Sequence, residues 1–285
     1  MGSQGIGVRR RRALVDTGTY LLVGSLAIIA LFPFYWMLRT AFTPPADAFS
    51  LHPVLWPRTI TGQNFVRVIL SPTVPFLIYF RNSLIVSCAT TALVILAGAG
   101  GGYALARMHF RGANAFGTAL LLIQMFPSVV LIIPLFIVMA KLHLIDTYFG
   151  LVLALTTFNM PFVTWLLRGY FLSLPKDLED AARIDGCGRF AVLFRIALPL
   201  AAPGVAAIAT LAMVSAWNDF LFAFVLISSD AKKVLPTGLA TYGQSNNDYT
   251  ALFAMATLTT VPIVGFFMIF QRYLVGGLAA GSVKA

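Results

Sequence analysis

The chain has 285 residues, of which 59% are hydrophobic and 11% charged, and its formal charge is +10. Soluble domains carry about 25% charged residues, so this low charge content excludes an ordinary soluble globule. Uncharged runs of about 20 residues point instead to an integral helical membrane protein. The basic excess sits at the ends of those runs rather than on one polar face, which excludes a nucleic-acid-binding domain and fits the Lys/Arg bias of cytoplasmic segments.

A basic segment, residues 1–13, carries Arg9, Arg10, Arg11 and Arg12. The apolar run that follows, 14–38, is too long for a signal-peptide core and has no small-residue cleavage site after it, so it reads as a retained helix. Five more spans follow at 83–105, 118–140, 150–167, 200–228 and 251–271, giving a six-helix domain over 14–271 and a tail over 272–285. With Arg9–Arg12 inside, only Arg39, Arg58, Arg67, Arg81, Lys141, Lys232 and Lys233 of the 20 Lys and Arg residues fall outside. Both termini are therefore expected in the cytoplasm.

The first outer loop, 39–82, contains Pro44, Pro45, Pro53, Pro57, Pro72 and Pro75, a density that resists continuous helix. Its last stretch, 76–82, mixes aromatic residues with Arg81 and reads as a short interfacial helix. Within the second span, Gly98-Ala99-Gly100-Gly101-Gly102 permits close helix packing. Cys88 and Cys187 read as small packing residues, since their places in an apolar run and a polar loop suit neither a disulfide nor a metal. Pro127, Pro134, Pro161, Pro203 and Pro262 fall in the spans. They are either tolerated kinks or the joints of a pathway that opens and closes.

The loop 168–197 is polar and charge-dense. Ser173, with Pro175 in the first turn, predicts the start of a helix over 176–185. Leu178, Ala181, Ala182 and Asp185 share one helical face, and Gly186 is a helix stop. A second helix over 189–197 returns the chain to the membrane at Leu198-Pro199. Small residues amid Asp177, Glu179 and Asp180 suit a protein partner, with charge-assisted contacts to a basic surface. A hairpin lying on the bilayer calls for large apolar residues and lysine-rich flanks, and two alanines amid aspartates and a glutamate fit that poorly.

The pattern Asp180-Ala181-Ala182, Gly186, Ile196, Leu198-Pro199 resembles the EAA loop of ATP-binding-cassette importer permeases, with every interval matching. Aspartate stands at 180 where that family usually has glutamate. Because Glu179 is adjacent, the resemblance leaves open which carboxylate meets the partner. Phe80-Arg81-Asn82-Ser83-Leu84, Gly102-Tyr103-Ala104-Leu105-Ala106-Arg107, Trp217-Asn218-Asp219-Phe220, Leu235-Pro236-Thr237-Gly238-Leu239 and the tail from Gln271 to Lys284 are similar to maltose-type carbohydrate permeases. The likeness covers nearly the whole chain.

The resemblance implies an all-α, six-span type I importer permease with a cytoplasmic helix–glycine–helix coupling hairpin, multi-pass in a bacterial plasma membrane. It implies one half of a translocation pathway for a sugar. The other partners would be a second permease subunit, two ATPase subunits holding ATP and Mg, an extracytoplasmic binding protein and membrane lipid. The expected ATPase-docking residues are Glu179, Asp180, Ala181, Ala182, Gly186, Ile196, Leu198 and Pro199. The chain has no phosphate-binding glycine loop, no paired Cys-x-x-Cys and no nucleophile motif, so it is expected to be a transport subunit that binds no cofactor of its own.

Trp217, Asn218 and Asp219 suit a sugar pathway, because rings, amides and carboxylates match the apolar faces and hydroxyls of sugars. A buried carboxylate also serves as a structural hydrogen bond between helices, and the sequence leaves both readings open. Tyr242, Gln244, Asn246, Asn247 and Tyr249 are either a docking surface or a solvated loop. His52, His109 and His143 have no partners at metal spacing and receive no chemistry. A polyol or glycerophosphate permease is the neighbouring alternative. An ion-driven transporter would call for more intramembrane charges than Asp219, and a membrane enzyme for a catalytic constellation that is missing.

Overall fold

The computed structural model describes residues 4–48, 55–71, 74–245 and 248–282, with side chains described from 16 to 243 and from 248 to 272. His52, Pro53, Pro72, Asn246, Asn247 and Lys284, and the side chains of Arg9–Arg12, Gln244 and 273–282, lie outside the described residues. The described residues contain helices and turns and no strand. In chain order the helices are α1 (Gln4–Ala41), α2 (Pro45–Ala48), α3 (Gln63–Ile69), α4 (Phe76–Arg107), α5 (Ala113–Gln124), α6 (Ser128–Lys141) and α7 (Tyr148–Ser173). They continue as α8 (Asp177–Ile184), α9 (Arg189–Val192), α10 (Leu198–Leu200), α11 (Ala202–Trp217), α12 (Leu221–Leu226), α13 (Leu235–Ser245) and α14 (Tyr249–Ser282).

Among the described residues, four helices are individually long and apolar enough to span a bilayer, and two sharply bent helix pairs bring the number to as many as six. The predicted span 118–140 is one of these pairs, because α5 and α6 meet at 102°. Pro127 is responsible: it lacks an N–H and disfavours helical backbone in the residue before it. The predicted span 200–228 is also interrupted, since α11 ends at Trp217 and α12 begins at Leu221. The residues 76–82 form no separate interfacial helix but are the first turns of a continuous α4. Pro134, Pro161 and Pro262 lie inside unbroken helices.

The chain forms two compact units. The smaller comprises residues 1–71 and 245–258. There the buried Asn64 donates to the carbonyls of Ala41 (2.8 Å) and Thr43 (2.9 Å) and accepts from Thr250 Oγ1 at 3.3 Å. Arg67 pairs with Asp248 at 3.0 Å. One amide of α3 thus satisfies the carbonyls at the end of α1 and ties the two helices together.

The larger unit comprises residues 72–244 and 259–285. Its spine is α4 packed on α7 through the glycine run. A methyl group on Gly102 would lie 2.9 Å from the backbone N of Arg168 and 3.0 Å from the Thr164 carbonyl, and one on Gly98 would lie 3.1 Å from Val163. Backbone meets backbone there, which only glycine allows. One buried cluster along this contact includes Val94, Tyr103, Leu167 and Phe171, and it extends to Ala182, Val192 and Leu193 of the polar loop. That loop is therefore part of the packed body.

Candidate functional site

The polar loop folds as the expected helix–glycine–helix hairpin. Asp177, Glu179 and Asp180 lie in the first turn of α8, where carboxylates complement the positive end of the helix dipole. Gly186 has φ +87°. Its N–H donates to the Arg183 carbonyl (3.1 Å) and that of Cys187 to Ala182 (2.9 Å), the paired bonds that close a helix on a left-handed residue. Cys187 packs against the buried cluster beside Ala182. Ser173 does not cap α8. It ends α7 and donates to the Tyr170 carbonyl at 2.7 Å, because Leu174 and Pro175 are needed to turn the chain. The second helix is not regular either: Leu193–Ala197 is π-helical. Pro199 removes the N–H that would bond Arg195, and its ring would crowd that carbonyl.

The face predicted for α8 is split. Ala182 is buried, while Leu178, Ala181 and Asp185 are exposed. Glu179 sits beside Ala182 on the inner face and is only 3% exposed. Its Oε1 accepts from Arg107 Nε at 2.8 Å and its Oε2 from the Tyr103 hydroxyl at 2.8 Å. Arg107 also donates through Nη2 to the Leu174 carbonyl at 2.9 Å. Glu179 is thus an internal bolt between the hairpin and the end of α4, not an outward docking group. Asp180 is the exposed carboxylate and faces Arg183 at 3.7 Å. Gly186 and Pro199 are exposed with it, whereas Ile196 and Leu198 pack against the buried cluster. The sequence reading missed Ile184 (87% exposed) and Phe190 (80% exposed); large apolar residues on a charged loop were the available signal.

Twenty-five helical residues separate Arg107 from Asn82 in α4, a rise of about 37 Å. At that far end Asn82 donates to the carbonyls of Ala231 and Lys233, both at 2.9 Å, and accepts from the Tyr148 hydroxyl at 2.9 Å. Nearby, Asp146 Oδ1 accepts from the N–H groups of Ser228 (3.0 Å) and Ser229 (2.9 Å), and Lys232 pairs with Oδ2 at 3.0 Å. The Ser229 N–H, then Lys232 and the other donors, hold the Asp146 carboxyl far below the usual aspartate range. A depressed folded value stabilises the fold fully above the unfolded value, about 3.9, and that contribution is lost as pH falls toward the folded one. Asp146→Asn should therefore melt below the parent at neutral pH, and the gap should narrow on acidification in detergent-phase thermal unfolding.

A cavity of about 380 Å³ opens between the α5–α6 bend, α7 and the α11–α12 break. Gln124, Ser128, Thr157, Asn159, Ser215 and Asp219 line it beside Phe126, Phe158 and Phe222. Asp219 accepts the Ala223 N–H at 3.1 Å and so caps α12. Of the three residues predicted for a pathway, only Asp219 reaches this cavity. Trp217 is buried, donates to the Thr259 carbonyl at 3.3 Å and meets Phe80 edge-on at 5.7 Å, so it is a packing residue. Asn218 is exposed elsewhere. Tyr242 is buried and Tyr249 exposed.

Residues 95–279 match the family of binding-protein-dependent transport system inner membrane components. The chain belongs to this family. It is an integral inner-membrane permease of the ATP-binding-cassette importer class. The permease is 38% identical over 265 residues to the arabinooligosaccharide transport system permease protein AraQ of Halalkalibacterium halodurans, covering 91% of this chain and 93% of that one. It is 34% identical over 268 residues to the trehalose/maltose transport system permease protein MalG of Thermococcus litoralis, covering 93% and 96%. The fold matches a chain of a bacterial ABC transporter that imports the acidic polysaccharide alginate, with TM-score 0.79, 24% identity, and 93% and 98% of the two chains covered.

Proposed function

We propose that this permease forms half of a sugar pathway and is driven by a separate ATPase seated on the α8–Gly186 hairpin. The observation that carries the sugar reading is the polar and aromatic lining of the Asp219 cavity. Amide, hydroxyl and carboxylate groups beside rings suit a neutral polyhydroxylated solute, and among the described residues no Lys or Arg lines the cavity to favour a strongly anionic one. The oligosaccharide and disaccharide relatives support the same class.

The seat consists of Asp180, Ala181, Gly186 and Pro199, flanked by Leu178, Ile184 and Phe190. Small residues at its centre admit a close partner surface, and Ile184 and Phe190 supply apolar anchors. Two ATPase subunits would hold ATP and Mg, a second permease would complete the pathway, and an extracytoplasmic binding protein would deliver the sugar. The Lys/Arg distribution supports hairpin and termini in the cytoplasm. ATP-driven movement of the hairpin reaches the spans through the Glu179–Arg107 bolt and α4.

Asp219→Asn keeps an acceptor for the Ala223 N–H and removes the charge from the cavity. Charge-assisted hydrogen bonds contribute about 1.5–3 kcal/mol, so uptake of labelled oligosaccharide by vesicles holding the assembled importer should fall about 10- to 100-fold. Assembly, read by co-purification, should be unchanged. Unaltered uptake would remove Asp219 from the pathway.

A further inference from the structure

We infer that this permease carries a site for the phosphate of an anionic lipid headgroup, between the α4–α5 turn and the end of α7. A cavity of about 630 Å³ opens there, lined by His109, Arg111, Arg168 and Lys176 with Phe110 and Leu172 among its apolar members, and among the described residues no carboxylate contributes to its lining. Arg111 and Lys176 form no ion pair among the described residues, whereas neighbouring Arg107 is paired with Glu179. Arg168 is positioned rather than free-swinging. Its guanidinium stacks 5.0 Å from the Trp165 ring and its Nε donates to the Leu105 carbonyl at 3.5 Å, leaving its terminal nitrogens for an anion.

Convergent uncompensated cations call for an anionic ligand, and the surroundings select a lipid. The cavity lies where the spanning helices α4 and α7 end, which is headgroup depth. Phe110 and Leu172 are about half exposed at the site, and Phe116 and Leu122 are further exposed apolar residues of the adjoining α5. A soluble phosphate has no use for that rim, while acyl chains do. Basic pockets between spanning helices at headgroup level are the pattern that binds anionic lipid.

The test is native mass spectrometry of the full chain in neutral detergent, titrated with phosphatidylglycerol, phosphatidylcholine or inorganic phosphate. Phosphatidylglycerol should bind, and neither phosphatidylcholine nor millimolar phosphate should replace it. Each basic residue near an anionic headgroup contributes roughly fivefold, so Arg111→Gln/Lys176→Gln should weaken phosphatidylglycerol about 25-fold. Adding Arg168→Gln should weaken it about 100-fold. The double variant changes only exposed side chains and leaves the Trp165 stack intact, so it tests the site even if the triple variant fails to fold. Equal binding of phosphatidylcholine, undiminished binding by the double variant, or competition by inorganic phosphate would each overturn the inference. So would absence of lipid from the assembled importer, which would give the site to an acidic protein surface.

Discussion

Glu179→Ala is expected to lower the stability of the permease by about 3–5 kcal/mol, the range for a buried ion pair deprived of one partner. Both side chains of the Arg107–Glu179 pair are 4% exposed, so Arg107 cannot recover its lost contact from water. It would keep the Leu174 carbonyl, and Tyr103 would lose its acceptor. The hairpin should then loosen from α4, which is readable at Cys187, half-buried behind α8 and packed on the shared cluster. In a Cys88→Ala background, Cys187 should react faster with a maleimide in the Glu179→Ala protein. Replacing both partners, Arg107→Leu with Glu179→Leu, removes the orphaned charge and should recover much of the lost stability. A Glu179→Ala protein that melts and labels like its parent would show that the pair does not hold the hairpin.

Gly186→Val should abolish coupled transport while leaving membrane insertion intact. At φ +87° a side chain would meet nothing within 4 Å, so the effect is conformational rather than a clash. A left-handed backbone costs an L-residue about 1–2 kcal/mol, more when it is β-branched. Valine would escape that strain by unwinding the stop, breaking the bonds from Gly186 and Cys187 to Arg183 and Ala182 and re-aiming the seat. Asparagine tolerates the left-handed region, so Gly186→Asn should retain most uptake. Equal uptake by the valine variant, or equal loss in both variants, would separate the stop geometry from coupling.

The long spans were legible because hydropathy is a local property, and the hairpin because Gly186 marks a turn that few residues can make. The break at Pro127 was not legible. Pro134, Pro161 and Pro262 occur in similar apolar surroundings and stay inside helices, since freed carbonyls can be satisfied by neighbours that a sequence does not display. The inward turn of Glu179 was hidden for a related reason. Helical spacing shows which residues share a face, but the Arg107 and Tyr103 groups that draw Glu179 inward lie 72 and 76 positions away. The cavity likewise gathers polar residues from two helix interruptions and from α7. Asp219 stood out because it is charged, whereas Gln124, Thr157 and Asn159 had no pattern along the chain to unite them.

The most direct measurement is ATP hydrolysis by the complex recovered on a tag carried by this chain, co-expressed with candidate neighbouring permease and ATPase subunits, with and without sugar-loaded binding protein. The expected result is co-purification of the ATPase and hydrolysis stimulated by the loaded binding protein, with stimulation lost in Gly186→Val. A stable, folded chain that recruits no ATPase would contradict the docking role of the hairpin.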